Sequence, residues 1–333
     1  MIIVTGGAGF IGSALVWGLN ARGHKDILIV DQDLEQSPKK KNLEQLRFTD
    51  YLESDAFLRK VENRQLGKPR AVFHQGACSS TTETDVEFLA RNNTGYTRTL
   101  AEWCLKDDIY FSYASSAATY GAGELGYSDD DELTPRLKPL NPYGQSKLDF
   151  DIWAVRNRLT ERLTGFRYFN VYGPNEYHKD DMRSMVHKGF EQARDTGCLR
   201  LFKSHRPDYA DGGQKRDFVY VKDVVDAVLW FHERPEKKGI FNLGTGSAAT
   251  WNDLAAAIFA ALGKPLNVEY IPMPDSIRNQ YQYFTEADLA KLRLAGYTPS
   301  FHNITTGARD YIQNYLQPGR GTVPKHPLSL SPR

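Results

Sequence analysis

A tyrosine and a lysine stand four positions apart in NPYGQSK, residues 141–147. On a helix, positions i and i+4 share one face, so Tyr143 and Lys147 can address a single ligand. A phenol is a poor acid or base near neutrality because its pKa lies near 10. A close positive charge lowers that value by roughly 1 to 3 units, so the Lys147 ammonium together with a cofactor cation beside it would tune the phenol for proton transfer to a hydroxyl. In ASSAATYG, Ser115 and Ser116 close a β-rich run, where a serine hydroxyl can bind and orient the same oxygen. Singly, Ser116 can be a turn cap and Tyr143 a packing residue. Their joint placement is what points to catalysis.

TGGAGFIG, residues 5–12, adds a second chemistry by spacing Gly6, Gly9 and Gly12 between a strand-like run and an amphipathic segment. Glycines there permit a tight turn and a close backbone approach to a pyrophosphate, while the helix N-terminus supplies free N–H groups. Asp31 ends the next apolar run. Its carboxylate suits ribose hydroxyls and so favours NAD. Lys39, Lys40 and Lys41 follow in the same loop and offer a partner for the 2′-phosphate of NADP, or form a solvated charge run. Both cofactors stay open at this level.

The elements that must carry these residues alternate. IIVTG, DILIVD (26–31), RAVFH (70–74), IYFSYASS (109–116) and GFRYFNVYG (165–173) read as strands, separated by helical segments such as IGSALVWGLNARG and the stretch from about 84 to 105. That rhythm predicts an α/β fold, a doubly wound parallel (Rossmann) sheet with helices on both faces. Residues 1–169 form the dinucleotide-binding domain, and 217–245 (VKDVVDAVLWFHE, GIFNLG) return to it. Residues 170–216 and 246–317 are expected to form a smaller, mixed α/β substrate-binding lobe over the strand ends, and 318–333 a mobile tail.

Composition narrows the class. The 333 residues are 41% apolar and 25% charged, and Lys plus Arg exceed Asp plus Glu by 42 to 41. No global field favours nucleic acid or an anionic membrane. Cys78, Cys104 and Cys198 include no CxxC, which argues against a disulfide framework or zinc site and predicts a reducing, cytoplasmic setting. His178, His187 and His205 lack metal-ligand spacing, so no metal is expected. No basic leader or membrane-length apolar run is present, and neither secretion nor membrane insertion is expected.

TGGAGFIG, the serine of ASSAATYG and YGQSK together resemble an extended short-chain dehydrogenase/reductase acting on a nucleotide sugar. HQGACSSTTETD (74–85), Asn92–Asn93, GFRYFNVYGPNEYHK (165–179) and KRDFVYVKDV (215–224) are similar to the ADP-L-glycero-D-manno-heptose 6-epimerase family, over residues 1 to about 316. The resemblance implies an isomerase of lipopolysaccharide core synthesis that inverts carbon 6 of the ADP-heptose by transient hydride transfer to bound NADP, and a homo-oligomer, with a pentamer as the state it suggests. It implies that Tyr143 and Lys179 are the acid/base pair, with Lys147 and Ser116 beside Tyr143. Two bases have a physical reason, since one cannot reach hydroxyls presented from opposite faces without rearranging the site. Phe10, Ile11, Asp31, Gln32, Lys39, Gln75, Gly76, Ala77, Cys78, Ser79, Asn92, Val171 and Lys179 would line the cofactor. Asn170, Asp181, Lys188, Phe202, Lys203, Ser204, His205, Arg216 and Tyr281 would contact the sugar nucleotide. Without the family, Lys179 reads as a solvated loop lysine and Arg216 as a salt-bridge partner of Asp217.

Three positions depart from that pattern. DYLESD offers Ser54 where the family often has a lysine, Asp181 replaces a small hydroxyl residue, and the loop 205–214 is longer than expected. The rival readings are a hexose 4-epimerase or 4,6-dehydratase of the same superfamily, and, from another class, a non-catalytic dinucleotide-binding sensor. A dehydratase calls for an Asp-Glu pair after the serine, where this chain has AATYG. A sensor has no use for Ser116, Tyr143 and Lys147 together.

Overall fold

The structure, a computed structural model, describes residues 1–278 and 281–324. Its centre is a sheet built from β1 (Ile2–Thr5), β2 (Ile27–Asp31), β3 (Asp50–Glu53), β4 (Ala71–His74), β5 (Tyr110–Ser116), β6 (Thr164–Tyr168) and a late strand, β11 (Gly239–Leu243). The spatial order is β11-β6-β5-β4-β1-β2-β3, and every neighbouring pair is parallel. The order reverses between β1 and β4, so their C-terminal ends open a crevice where doubly wound sheets bind ligands.

Side-chain alternation explains why helices cover both faces. Ile2, Val4, Ile27 and Ile29 enter one apolar layer, and Ile3, Leu28 and Val30 enter the other. The first layer is completed by Ala14 and Leu15 of α1 (Phe10–Ala21) and by Val225 and Leu229 of α7 (Val221–His232). The second takes Phe57 and Val61 of α2 (Ser54–Glu62), Leu100 and Cys104 of α4 (Tyr96–Lys106), and Phe150 and Ala154 of α5 (Pro142–Arg156). Each fully buried branched side chain stabilises the fold by about 1.5–3 kcal/mol relative to exposure. A short helix, α3 (Val86–Leu89), reaches α4 through a π-helical segment, Ala90–Gly95.

The remaining elements cover the strand ends. β7 (Asn170–Tyr172) pairs in parallel with β10 (Phe218–Tyr220), β8 (Leu199–Phe202) with β13 (Val268–Ile271), and β9 (Lys215–Arg216) runs antiparallel to β12 (Ala249–Thr250). Buried Val186 and Phe190 of α6 (Met185–Asp195) share an apolar layer with Leu254 and Ile258 of α8 (Trp251–Leu262). Among the described residues, no helix is long and apolar enough to cross a membrane.

The structure corrects three expectations. DYLE forms a further strand, β3, at the sheet edge; its alternation is masked because both its ends are exposed. Ser116 therefore ends the fifth strand and not the fourth. GFRYFNVYG is not one strand: after Tyr168 the amide of Phe169 donates to Leu243 O, that of Asn170 donates to Asp217 O, and the chain passes from β11 to β10. The described part of the expected tail, up to Pro324, is docked: Asn175 N donates to Gly321 O at 2.8 Å, Val323 N donates to Asn175 Oδ1 at 2.9 Å, and Val323 is buried. Residues 325–333 lie outside the described residues.

Candidate active site

Local chemistry brings Tyr143 to Ser116. Asn141 caps α5 by accepting a hydrogen bond from Gly144 N at 2.8 Å, and Pro142 occupies the first helical position, so Tyr143 lies in the first turn. A Cβ on Gly144 would stand 2.7 Å from Ala118 O. Only glycine lets this helix start press against the turn Ala117–Tyr120 that follows β5. Ser116 Oγ accepts from Ala118 N at 3.1 Å, in the turn against which the helix bearing Tyr143 starts. One turn further on, Lys147 Nζ donates to Ala114 O at 2.8 Å.

The glycine turn is as tight as its spacing predicts. Gly6 adopts φ +63°, and a Cβ there would lie 2.6 Å from Gly76 N; one on Gly12 would lie 2.1 Å from Gly6 O. Helix α1 begins beyond Gly9 with no side-chain cap, leaving its first N–H groups to a ligand. Asp31 is buried, and its carboxylate accepts from Ala8 N at 2.9 Å, Gln32 N at 2.8 Å and Lys39 Nζ at 2.6 Å. Gln75 Nε2 is a buried donor without a partner among the described residues. This cradle, the uncapped helix end and the orphaned donor fit a dinucleotide.

Lys179 arrives from a different element, the short 3-10 helix Tyr177–Met182. Buried Glu176 closes the loop behind it by accepting from Gly173 N, Ser184 N and Ser184 Oγ at 3.2, 2.6 and 2.7 Å. Lys179 Nζ rests 5.7 Å from the Phe10 ring centroid. Burial lowers the pKa of Lys179, and Glu176 partly offsets that.

A single cavity of about 830 Å³ gathers all of these groups. Its walls include Ser116, Tyr143, Lys147 and Lys179, together with Gly6, Gly9, Phe10, Ile11, Gly12, Asp31, Gln32, Lys39, Gln75 to Ser79, Asn92 and Val171. Ser54 lines it too, at the position where a lysine was expected.

Of the two charges expected to tune Tyr143, only the lysine belongs to the protein. Burial raises the Tyr143 pKa, the Ser116 hydroxyl offsets this only in part, and Lys147 makes no resolved contribution. A phenolate loses more hydration in this cavity than the protein's own dipoles return. Burial also pulls Lys147 down to about 8, with Asp151 opposing. Tyr143 thus holds its proton at neutral pH, and Lys147 remains mostly charged.

Of the residues expected to touch the sugar nucleotide, only Asn170 is on this cavity wall. Asp181 is exposed and its carbonyl accepts from Lys188 Nζ at 3.0 Å, so the carboxylate that departs from the family pattern is not part of the wall. Lys188, Phe202, Lys203, Ser204, His205, Arg216 and Tyr281 lie outside it. Several of them form a neighbouring cluster. Arg216 is buried 5.1 Å from the Tyr281 ring centroid and 5.8 Å from that of Trp251, while His205 Nδ1 lies 2.8 Å from Tyr283 OH. Arg216 forms no ion pair with Asp217, whose carboxylate instead accepts from Thr245, Gly246 and Ala287 N–H groups. Its guanidinium donates to Lys215 O at 2.9 Å and has no carboxylate partner among the described residues.

Sequence reasoning missed the residue between the two groups. Trp251 lines the cavity and donates from Nε1 to Tyr281 OH at 2.9 Å. The signal was available: Thr250 and Asp253 form a capping box that places Trp251 in the first turn of α8. Tyr168, whose OH donates to Gln75 Oε1 at 3.0 Å, had no signal beyond strand alternation.

Comparison with known proteins agrees with this geometry. The model of the NAD dependent epimerase/dehydratase family matches residues 2–244. A protein of Nitratidesulfovibrio vulgaris named ADP-L-glycero-D-manno-heptose-6-epimerase is 51% identical over 317 residues, 95% of this chain and 98% of its own length. One of the same name from Fusobacterium nucleatum is 48% identical over 326 residues, with 95% and 98% covered. The crystal structure of the Helicobacter pylori ADP-L-glycero-D-manno-heptose-6-epimerase superposes with a TM-score of 0.77 at 28% identity, over 94% of this chain and 95% of that one. The chain is an enzyme that belongs to the NAD dependent epimerase/dehydratase family and, within it, to the ADP-L-glycero-D-manno-heptose-6-epimerases.

Proposed function

We propose that this protein inverts carbon 6 of ADP-D-glycero-D-manno-heptose to give the L-glycero epimer, using tightly held NADP, in the cytoplasmic synthesis of lipopolysaccharide core heptose. The observation that carries this reading is that Ser116, Tyr143, Lys147 and Lys179 share one cavity with the glycine cradle and Asp31. When bound, the dinucleotide supplies a hydride acceptor and later a donor, so no net redox change results.

The chain's own residues divide the remaining tasks. Tyr143 exchanges a proton with the sugar hydroxyl, Ser116 on the same cavity wall orients that oxygen, and Lys147 adds a buried positive charge one helical turn away. Lys179, from the Tyr177–Met182 helix, is the second proton carrier; its lowered pKa makes the neutral amine more accessible than in an exposed lysine. Gly6 and Gly12 bring backbone N–H groups to the pyrophosphate. Arg216, flanked by Trp251 and Tyr281, has no carboxylate partner among the described residues and is suited to the substrate diphosphate. Lys39 supports NADP over NAD, because its ammonium neutralises the Asp31 carboxylate that would otherwise repel a 2′-phosphate.

The test combines two substrates and one variant. Purified protein is incubated with ADP-heptose and with UDP-hexose, and the epimers are separated. Tyr143→Phe should lower kcat by about 10²- to 10⁴-fold with the nucleotide still bound. Conversion of the UDP-hexose alone would make the protein a 4-epimerase, and retained turnover in Tyr143→Phe would remove the proposed acid/base. Mass spectrometry of the extracted nucleotide decides between NADP and NAD.

A further inference from the structure

One buried carboxylate beside the site has no role in the reading above. Asp151 lies on α5, four residues past Lys147 and eight past Tyr143, with a side chain 0% exposed. Its Oδ1 accepts from Tyr113 OH at 2.8 Å, and its Oδ2 accepts from Ser115 Oγ at 2.8 Å and Arg167 Nε at 2.9 Å. Between those two β5 residues, Ala114 O takes the hydrogen bond from Lys147 Nζ. Three consecutive residues at the end of β5 are thereby pinned to α5, and the next residue is Ser116. The clamp extends further through Arg167, which donates to Tyr120 OH at 3.1 Å and Thr134 Oγ1 at 2.9 Å, and Tyr120 closes the turn after Ser116.

The charges point the same way. Arg167 and Asp151 form an ion pair with both side chains 0% exposed, and Lys147 is a second buried cation nearby. The other titratable groups that act on or feel Lys147 are Cys78, after β4, and His74, in β4, which burial keeps neutral. Asp151 is the carboxylate that opposes the desolvation of Lys147. A carboxylate needed only for packing would have no reason to bond both side chains that flank Ala114.

We propose that Asp151 is a positioning residue for the epimerisation: it clamps the strand end bearing Ser116 to the helix bearing Tyr143 and Lys147, and it sets a buried carboxylate one helical turn from Lys147. This rests on the roles assigned to Tyr143 and Lys147 above. Asp151→Asn keeps one acceptor oxygen but removes the charge. Its kcat should fall at least tenfold with KM within about twofold, and the alkaline limb of its pH–rate profile should move to lower pH, because the Lys147 ammonium loses its anion.

A readout independent of turnover is NMR titration of lysine-labelled protein, with the Lys147 signal assigned by its loss in Lys147→Arg. The wild-type midpoint near 8 should drop by about one unit or more in Asp151→Asn. If Asp151→Asn does not fold, Tyr113→Phe/Ser115→Ala, which retains the ion pair, carries the test and should lose about tenfold in kcat while still unfolding cooperatively, at a melt lowered by the two lost buried hydrogen bonds. An unmoved Lys147 midpoint in folded Asp151→Asn, or wild-type kcat in either folded variant, overturns the proposal. If the wild type converts neither ADP-heptose nor UDP-hexose, the functional reading fails, and the Lys147 titration still decides whether Asp151 governs that lysine.

Discussion

Replacing Gly12 with alanine isolates the geometry of the dinucleotide cradle. The new methyl would stand 2.1 Å from Gly6 O, 2.7 Å from Gly6 C and 3.0 Å from Gly7 Cα, all backbone atoms that cannot swing aside. Comfortable carbon contacts begin near about 3.5 Å, so helix and loop must part by roughly 1 Å. Overpacking of this kind costs about 1–3 kcal/mol. At roughly 2–4 °C per kcal/mol for a chain somewhat smaller than this one, the melt should fall by several degrees. The same displacement withdraws backbone donors from the pyrophosphate, and one lost charge-assisted hydrogen bond, about 1.5–3 kcal/mol, weakens cofactor binding by roughly 10- to 100-fold.

Gly18→Ala serves as the comparison. Its Cβ would meet Val225 Cγ1 at 2.3 Å and Leu229 Cδ1 at 2.9 Å, side chains of α7 at the far end of the same helix. It should lower the melt to a similar extent yet leave cofactor affinity within about twofold. Calorimetric titration of stripped protein with NADP and NAD, beside thermal melts, measures both quantities. Wild-type affinity in Gly12→Ala, or equal loss in both variants, would refute the argument that the Gly6–Gly12 contact shapes the cradle.

Arg216→Met should leave the melt unchanged or raise it, because it removes a buried charge with no carboxylate partner among the described residues, while KM for the sugar nucleotide rises at least tenfold; unchanged KM would separate Arg216 from the substrate. Lys179→Met should lower kcat by about 100-fold or more, as measured by steady-state kinetics; normal turnover would leave Tyr143 as the only proton carrier. Burial holds the folded pKa of His74 at about 3, between Thr5 Oγ1 at 2.6 Å and Thr97 Oγ1 at 2.8 Å. Its unfolded value is near 6.5, so between 6.5 and 3 the unfolded chain binds a proton that the folded chain refuses, and stability is lost as pH falls through that window. Urea unfolding should show His74→Gln with a shallower decline than the wild type below pH 6.5, by up to about 1.4 kcal/mol per pH unit; parallel curves would show that His74 does not titrate on unfolding.

Much of this molecule was legible because its information is local. Gly6 and Gly12 specify a turn that a Cβ would block, Asn141 and Pro142 start α5 where Tyr143 needs it, and the alternation of Ile2, Ile3 and Val4 requires cover on both sheet faces. Residue type and spacing suffice for such features, since each depends on neighbours within a few positions. Tertiary structure alone decided the rest. The edge strand β3 exists because β2 offers it hydrogen bonds, not because DYLE has a strand pattern. Burial raises Tyr143 because desolvation depends on everything packed around it, and the Lys147 ammonium four positions away makes no resolved contribution. Arg216 avoids the adjacent Asp217 because residues 245–287 supply that carboxylate with N–H donors from far along the chain. Burial and long-range pairing are sums over distant segments, and no window of the sequence contains them.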